Sequence, residues 1–203
     1  MRHAVWLLLM GWVCWGASTG EAQNPPTKEL SPEEKEAIAQ LRKLGGLVIE
    51  VAQNDPRLDV SLHLADTKIE NQHLVFLKPL ERIAALNLRG TEVSDEGLQH
   101  LAHLKGLVRL HLEKTKITDA GLVHLKGLEN LEYLNLYGTA VTDAGLNHLA
   151  GLKKLKRLYL WQTQVTDAGV AALKQALPDV QIIRGQDLAK PAEQAKPAEE
   201  KKE

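Results

Sequence analysis

Few residues in this chain have the types and spacing for chemistry, and most of them recur at one interval. Arg109, His111 and Glu113 alternate along a single stretch, which could set an acid-base group on one face of a strand. No nucleophile accompanies them. Beyond Ser31 the serines are Ser61 and Ser94, and no HExxH, GxSxG or phosphate-loop pattern occurs. His100, His124 and His148 recur every 24 residues and invite a metal or pH-sensing role, yet carboxylate or cysteine partners at fixed spacing are missing, so packing is the simpler reading. Asp95, Asp119, Asp143 and Asp167 each follow Ser94, Thr118, Thr142 or Thr166 in the pattern of a helix N-cap and a dipole-compensating acid, which reads them as caps and not as catalytic acids. The single cysteine, Cys14, sits in an apolar leader, so the rest of the chain has no thiol for a disulfide, a zinc site or attack on a substrate. The expectation is a protein that is not an enzyme and holds no metal or cofactor.

Both ends differ from the middle. MRH, the apolar AVWLLLMGWVCWGA and the small and polar STGEAQ follow the order of a secretory signal, with cleavage expected after Ala22, so 1–22 is read as a signal peptide. The apolar run is short for a membrane span, which takes about 20 residues. A retained anchor is the rival reading, as is a lipid on Cys14, although Val13 stands where lipidation favours a small residue. Export to the periplasm, the cell envelope or the medium is expected, without stable membrane insertion after cleavage. At the other end, after Leu188, the near-duplicates AKPAEQ and AKPAEE offer no large apolar side chain to bury, and 188–203 reads as a disordered Lys/Glu/Pro/Ala tail. The net charge is −1 and stays there once Arg2 and Glu21 are both lost, so no global field recruits nucleic acid or anionic lipid.

The residues above are positioned by a repeat. IAALNLRGTEVSDEGLQHLAHLKG (83–106), LVRLHLEKTKITDAGLVHLKGLEN (107–130), LEYLNLYGTAVTDAGLNHLAGLKK (131–154) and LKRLYLWQTQVTDAGVAALKQALP (155–178) align at 24 residues without gaps. A weaker copy, DVSLHLADTKIENQHLVFLKPLER (59–82), precedes them, and the fragment DVQIIRG follows with Ile182 in register with Leu158. Within each copy LxxLxLxxT carries the period-2 leucines of a strand, and (V/I)(T/S)DxGLxxLxxL the period-3 and period-4 leucines of a helix. Stacked copies share a leucine core, with parallel strands on a concave face and the wider helices outside. Thr67, Thr91, Thr115, Thr139 and Thr163 then form a ladder where the chain leaves each strand, placed to satisfy turn backbone. Ahead of the copies, Ser31 and Glu34 form a capping box with Pro32 at the first helical position, then Ile38, Leu41 and Leu44 on one face and a Gly45-Gly46 stop. LVIEV (47–51) reads as a strand, and 23–58 as a linker and helix-strand cap on the open core.

These units resemble leucine-rich repeats, and the TDAGL form is similar to that of exported bacterial proteins of planctomycete type. The resemblance covers about residues 59–184 and extends to the AIAQLRKLGG leader. It implies an α/β fold, a leucine-rich-repeat solenoid or horseshoe with a parallel sheet inside and helices outside, over 59–187 as five 24-residue repeats plus a terminal strand. It also implies a binding scaffold, without naming a ligand. The TDxGL signature is shared with F-box ubiquitin-ligase adaptors, but this chain has neither their repeat cysteines nor an F-box ahead of the repeats.

The side chains that alternate with the strand leucines face the concavity. The first three units place Ser61, His63, Ala65, Ala85, Asn87, Arg89, Arg109, His111 and Glu113 there, and the next two add Tyr133, Asn135, Tyr137, Arg157, Tyr159 and Trp161. All three tyrosines, and the one tryptophan outside the leader, fall on this face, so the candidate ligand-binding residues are Arg109, His111, Glu113, Tyr133, Asn135, Tyr137, Arg157, Tyr159 and Trp161. Rung neighbours could instead satisfy one another, Tyr133 with Arg157, Tyr137 with Trp161 and Arg89 with Glu113. Two functions follow: recognition of a protein segment or envelope glycan, or a structural envelope protein that assembles with its own copies.

Overall fold

The computed structural model describes residues 29–53 and 55–185; the expected signal peptide with Cys14 and the expected 188–203 tail lie outside the described residues. The first described helix starts where a capping box dictates. The Ser31 hydroxyl accepts from the Glu34 amide at 3.1 Å while Glu34 Oε2 accepts from the Ser31 amide at 2.7 Å, and α1 runs from Pro32 to Lys43. Gly45 ends it at φ +87°, where a Cβ would also press on the backbone of Ala65 and Asp66. Ala37, Ile38 and Leu41 of α1 are buried, and Glu34, itself buried, faces Arg82 of the first repeat with Nε 3.5 Å from Oε1.

The cap continues as a hairpin rather than a single strand: β1 (Leu47–Ala52) pairs antiparallel with β2 (Asp55–Ser61). From β2 onward all pairing is parallel, through β3 (Ile83–Asn87), β4 (Arg109–His111), β5 (Tyr133–Asn135), β6 (Arg157–Tyr159) and β7 (Gln181–Ile183), in chain order. The outer edge of β1 is partly closed by Arg42, whose guanidinium donates to the Val48 carbonyl at 2.9 Å.

The expected register holds from β3 to β7, with Leu86, Leu110, Leu134, Leu158 and Ile182 on one rung. The first unit departs from it by two residues. Val60, not Leu62, pairs with Leu86, and the Leu62 amide donates to the Asn87 carbonyl just as the Leu88 amide donates to that of His111. The turn that follows is longer, 63–68 against 89–92, and leaves Leu64 60% exposed. Ala65 therefore falls outside the concave ladder and lies against Gly45 of the cap, Asp59 and Ser61 take the places beside Ala85 and Asn87, and His63 follows Leu62 as Arg89 follows Leu88. Thr67 is exposed and donates to the Leu44 carbonyl at 3.1 Å. The other threonines behave as expected: Thr91, Thr115, Thr139 and Thr163 each donate to the leucine carbonyl three residues back at 2.7 Å.

On the convex side each repeat has less regular helix than its leucines suggest. A single α-turn is formed by α2 (Asp95–Leu98), α3 (Asp119–Leu122) and α4 (Asp143–Leu146), and each passes into a 3-10 turn, Gln99–Leu101, Val123–Leu125 and Asn147–Leu149. Only α5 (Asp167–Ala176) is longer. The compact turn suffices because leucines such as Leu122, Leu125, Leu128 and Leu131 are fully buried in one core with the strand leucines Leu110, Leu112, Leu134 and Leu136. His100, His124 and His148 ride half-buried on this side.

The repeated aspartates reach farther than their own helix. Asp95, Asp119 and Asp143 each take the amide and the hydroxyl of the threonine 23 residues on, Asp119 from Thr142 at 2.7 and 2.6 Å. Asn71 makes the corresponding bridge to Ser94 with one bond reversed, its Oδ1 accepting from the Ser94 amide at 2.9 Å and its Nδ2 donating to the Ser94 hydroxyl at 2.7 Å, and Thr118, Thr142 and Thr166 in turn cap their own helices. The glycine of TDAGL belongs to this clasp, since a Cβ on Gly121, Gly145 or Gly169 would overlap the aspartate Oδ1 of the preceding repeat. Asp167 ends the series in an ion pair with Arg184.

Gly145→Ala should destabilise the fold by about 1–3 kcal/mol by prising Asp119 from Thr142. In a double-mutant cycle with Asp119→Ala, chemical denaturation should show strong non-additivity, and simple addition of the two effects would refute the shared clasp. The Thr166 hydroxyl, followed by its amide, holds the Asp143 carboxyl below the ordinary carboxylate range. A carboxyl depressed in the folded state contributes stability that is complete above its unfolded pKa and is lost as pH falls through the folded one. Asp143→Asn should therefore flatten part of the acid limb of the stability profile between about pH 5 and pH 2, measured by urea unfolding at each pH.

Candidate functional site

Parallel pairing converts the sequence columns into ladders across the sheet. Ala85, Arg109, Tyr133, Arg157 and Gln181 form one, and Asn87, His111, Asn135, Tyr159 and Ile183 the next. Just beyond the strand ends, Gly90, Lys114, Gly138 and Gln162 have positive φ, which turns the chain after Arg89, Glu113, Tyr137 and Trp161.

All nine candidate residues lie on this face, but they divide between two hollows. Arg109, Tyr133 and Arg157 line one of 270 Å³ at the start of the strands, together with Val51 and Arg57 of the cap hairpin. Glu113, Asn135, Tyr137, Tyr159 and Trp161 line a second, of 590 Å³, where the strands end, together with Arg89, Gln181, Ile183 and Gly185. His111 joins the two by stacking on Tyr133, with ring centroids 4.8 Å apart. The period already placed Gln181, Ile183 and Gly185 opposite Arg157, Tyr159 and Trp161, so their part in the second hollow was readable from DVQIIRG. The part of Val51 and Arg57 was not, because it depends on the hairpin.

At the first hollow the Arg157 guanidinium lies 5.5 Å from the Tyr133 ring centroid, the rung pair expected, and Tyr133 packs on Tyr159 at 5.3 Å. Burial among these groups pushes the Tyr133 phenol above its usual pKa, against a smaller opposing pull from Asn135. Arg57 is engaged by Asp55 and Lys156 by Glu132. Arg109 and Arg157 are exposed.

At the second hollow Tyr137 and Trp161 pair at 5.4 Å and 36°, again as expected, with Trp161 half-exposed and Lys114 Nζ 5.7 Å from the Tyr137 centroid. Arg89 does not pair with Glu113. Glu113 is only 7% exposed, and its Oε1 accepts from His111 Nδ1 at 2.9 Å and from Asn135 Nδ2 at 2.7 Å. Asn135 also accepts from the Tyr137 amide at 3.0 Å, as Asn87 does from that of Arg89. Among the described residues no group of three or more His, Cys, Asp or Glu could hold a metal ion. No helix among them is long and apolar enough to cross a membrane.

Residues 84–102 and 105–165 match sequence profiles of the leucine-rich repeat. With seven strands in chain order among the described residues, a buried aliphatic side chain on the central rung from β2 to β6 and helical turns on the far side, this is a leucine-rich-repeat solenoid. Similar solved structures include internalin C2 of Listeria monocytogenes, 26% identical, with a TM-score of 0.44 over 54% of this chain and 55% of that one. A leucine-rich-repeat protein of Leptospira interrogans is 20% identical, with a TM-score of 0.39 over 54% and 33%. The ectodomain of an Arabidopsis thaliana receptor kinase is 13% identical, with a TM-score of 0.46 over 77% and 93%. The chain thus spans about half of the internalin and a third of the Leptospira protein. No curated protein matches it in sequence.

Asn135 holds both the turn at Tyr137 and the carboxylate of Glu113, so Asn135→Ala should cost about 1–3 kcal/mol by stranding buried partners, while Asn135→Asp should restore only the amide contact. Denaturant midpoints of the two variants check this.

Proposed function

We propose that the protein is an exported, non-catalytic binding scaffold that recognises a protein segment on the C-terminal half of its concave face. The observation that carries the reading is the second hollow: 590 Å³, walled by Tyr137, Tyr159 and Trp161, with the indole 50% exposed in the free protein. Large aromatic rings left partly in water on a rigid face are what a partner desolvates most profitably. The polar ring of Arg89, Asn135 and Gln181 around them matches the polar rim of recognition surfaces. What argues against catalysis is the missing nucleophile: the lining of the hollow holds no serine, threonine or cysteine to work with the bonded His111–Glu113 pair. The leader-like segment at 1–22 supports export.

Trp161 is the one tryptophan in residues 23–203 and reports on the proposed contact surface. In a chain beginning at residue 23, acrylamide should quench Trp161 efficiently, and envelope extract from the source cells should shield it. Tyr137→Ala and Trp161→Ala should each weaken partner capture by about tenfold or more, with loss of ~1 kcal/mol or less in folding stability. Unaltered capture by both variants would sink the proposal, and wholesale unfolding would show that the rings serve only to hold the sheet together.

A further inference from the structure

The second hollow contains an acceptor that the fold leaves unmatched. Glu113 is more than nine-tenths buried, its Oε1 is doubly bonded to donors, and its Oε2 is buried without a hydrogen-bond partner. Leaving a carboxylate oxygen dry and unpaired costs free energy, and native proteins keep few such atoms. Arg89, next to Glu113 along the ladder and on the rim of the same hollow, does not satisfy it. The neighbouring wall is Tyr137 and Trp161, whose ring faces attract cations within about 6 Å of their centroids. The Tyr137 ring already attracts one, Lys114 Nζ at 5.7 Å, from the preceding repeat.

We propose that this hollow is a receptor for a single cationic side chain, the guanidinium or ammonium of a bound protein segment, with Glu113 as its acceptor and Tyr137 and Trp161 as its walls. The proposal rests on the concave-face reading above and adds the chemistry of what is recognised. A guanidinium brings donors for Oε2, a charge opposite to that of the carboxylate, and a flat surface for the rings. A neutral sugar would supply a donor without the charge, and an anionic group would meet Glu113 as a like charge. His111 and Asn135, by fixing Oε1, hold the carboxylate in place before any ligand arrives.

The test titrates N-acetyl-arginine methylamide, its neutral isostere N-acetyl-citrulline methylamide, and cellotetraose into the protein, following the Trp161 indole N–H by NMR with Trp161→Phe as the assignment control. The arginine compound should shift the resonance and bind roughly tenfold tighter than the citrulline one, and Glu113→Gln should bring the two within about twofold. Should Glu113→Gln fail to fold, Tyr137→Leu keeps the carboxylate, removes a wall, and should lower arginine binding several-fold. Equal binding of arginine and citrulline, or a preference that survives both substitutions, overturns the proposal. A response to cellotetraose alone overturns it too while sparing the concave-face reading. Silence from all three probes, with Trp161 still shielded by envelope extract, has the same meaning.

Discussion

Each repeat starts its helical turn on a side chain lent by the repeat before. Asn71, Asp95, Asp119 and Asp143 reach across to Ser94, Thr118, Thr142 and Thr166, and the rest of the solenoid is arranged around that contact. Strands of three residues have little pairing of their own, and one α-turn followed by a 3-10 turn would not persist alone in water. What makes them cooperative is that leucine burial and the clasp both lie between copies. The threonine is the acceptor that caps its own helix and the donor that holds its neighbour's aspartate. The glycine two positions after the aspartate leaves room for the aspartate of the previous copy. The TDAGL motif is therefore the signature of an interface inside the chain, and stability is a sum over adjacent pairs.

Much of this was legible in the sequence because a fixed period turns one correct assignment into several. Once Leu110 is placed, Leu86, Leu134, Leu158 and Ile182 follow, and so do the contacts of Tyr133 with Arg157 and of Tyr137 with Trp161. The first unit resisted because SLHLADT fits the strand pattern as well as LDVSL does. Which set of residues is used depends on β1, which binds β2 from the other side and fixes its register. The aspartates were read against their own helices because local spacing exposes only local partners, and Thr142 is visible from Asp119 only when two copies are side by side. Glu113 was matched with Arg89 on the ladder, but His111, two residues before it on the same face, and Asn135, one copy on, hold the carboxylate with shorter and better-buried donors.

On the proposed reading, the concave face carries two jobs on the same side chains. Asn135 ties Glu113 to the turn before Tyr137, and Tyr133 links the hollow at the strand starts to His111 and so to the hollow at the strand ends. Rigidity in the ladder is what lets a shallow surface present its groups in one arrangement, which lowers the ordering cost of binding. The exposed edge of that arrangement is Trp161, which abuts Gly185 at the last strand.

The left-handed turns reveal a grain in the array coarser than the repeat. Gly90 and Gly138 alternate with Lys114 and Gln162, and Asn87 and Asn135, each closing its own turn, alternate with His111 and Tyr159. Neighbouring copies are thus complementary rather than equivalent. One supplies glycine and an asparagine that seals its loop, and the next accepts strain at a side-chain-bearing residue and projects a ring. Growth or shrinkage of this solenoid through duplication or deletion would be smoothest in couples, since an odd change sets like against like at the seam.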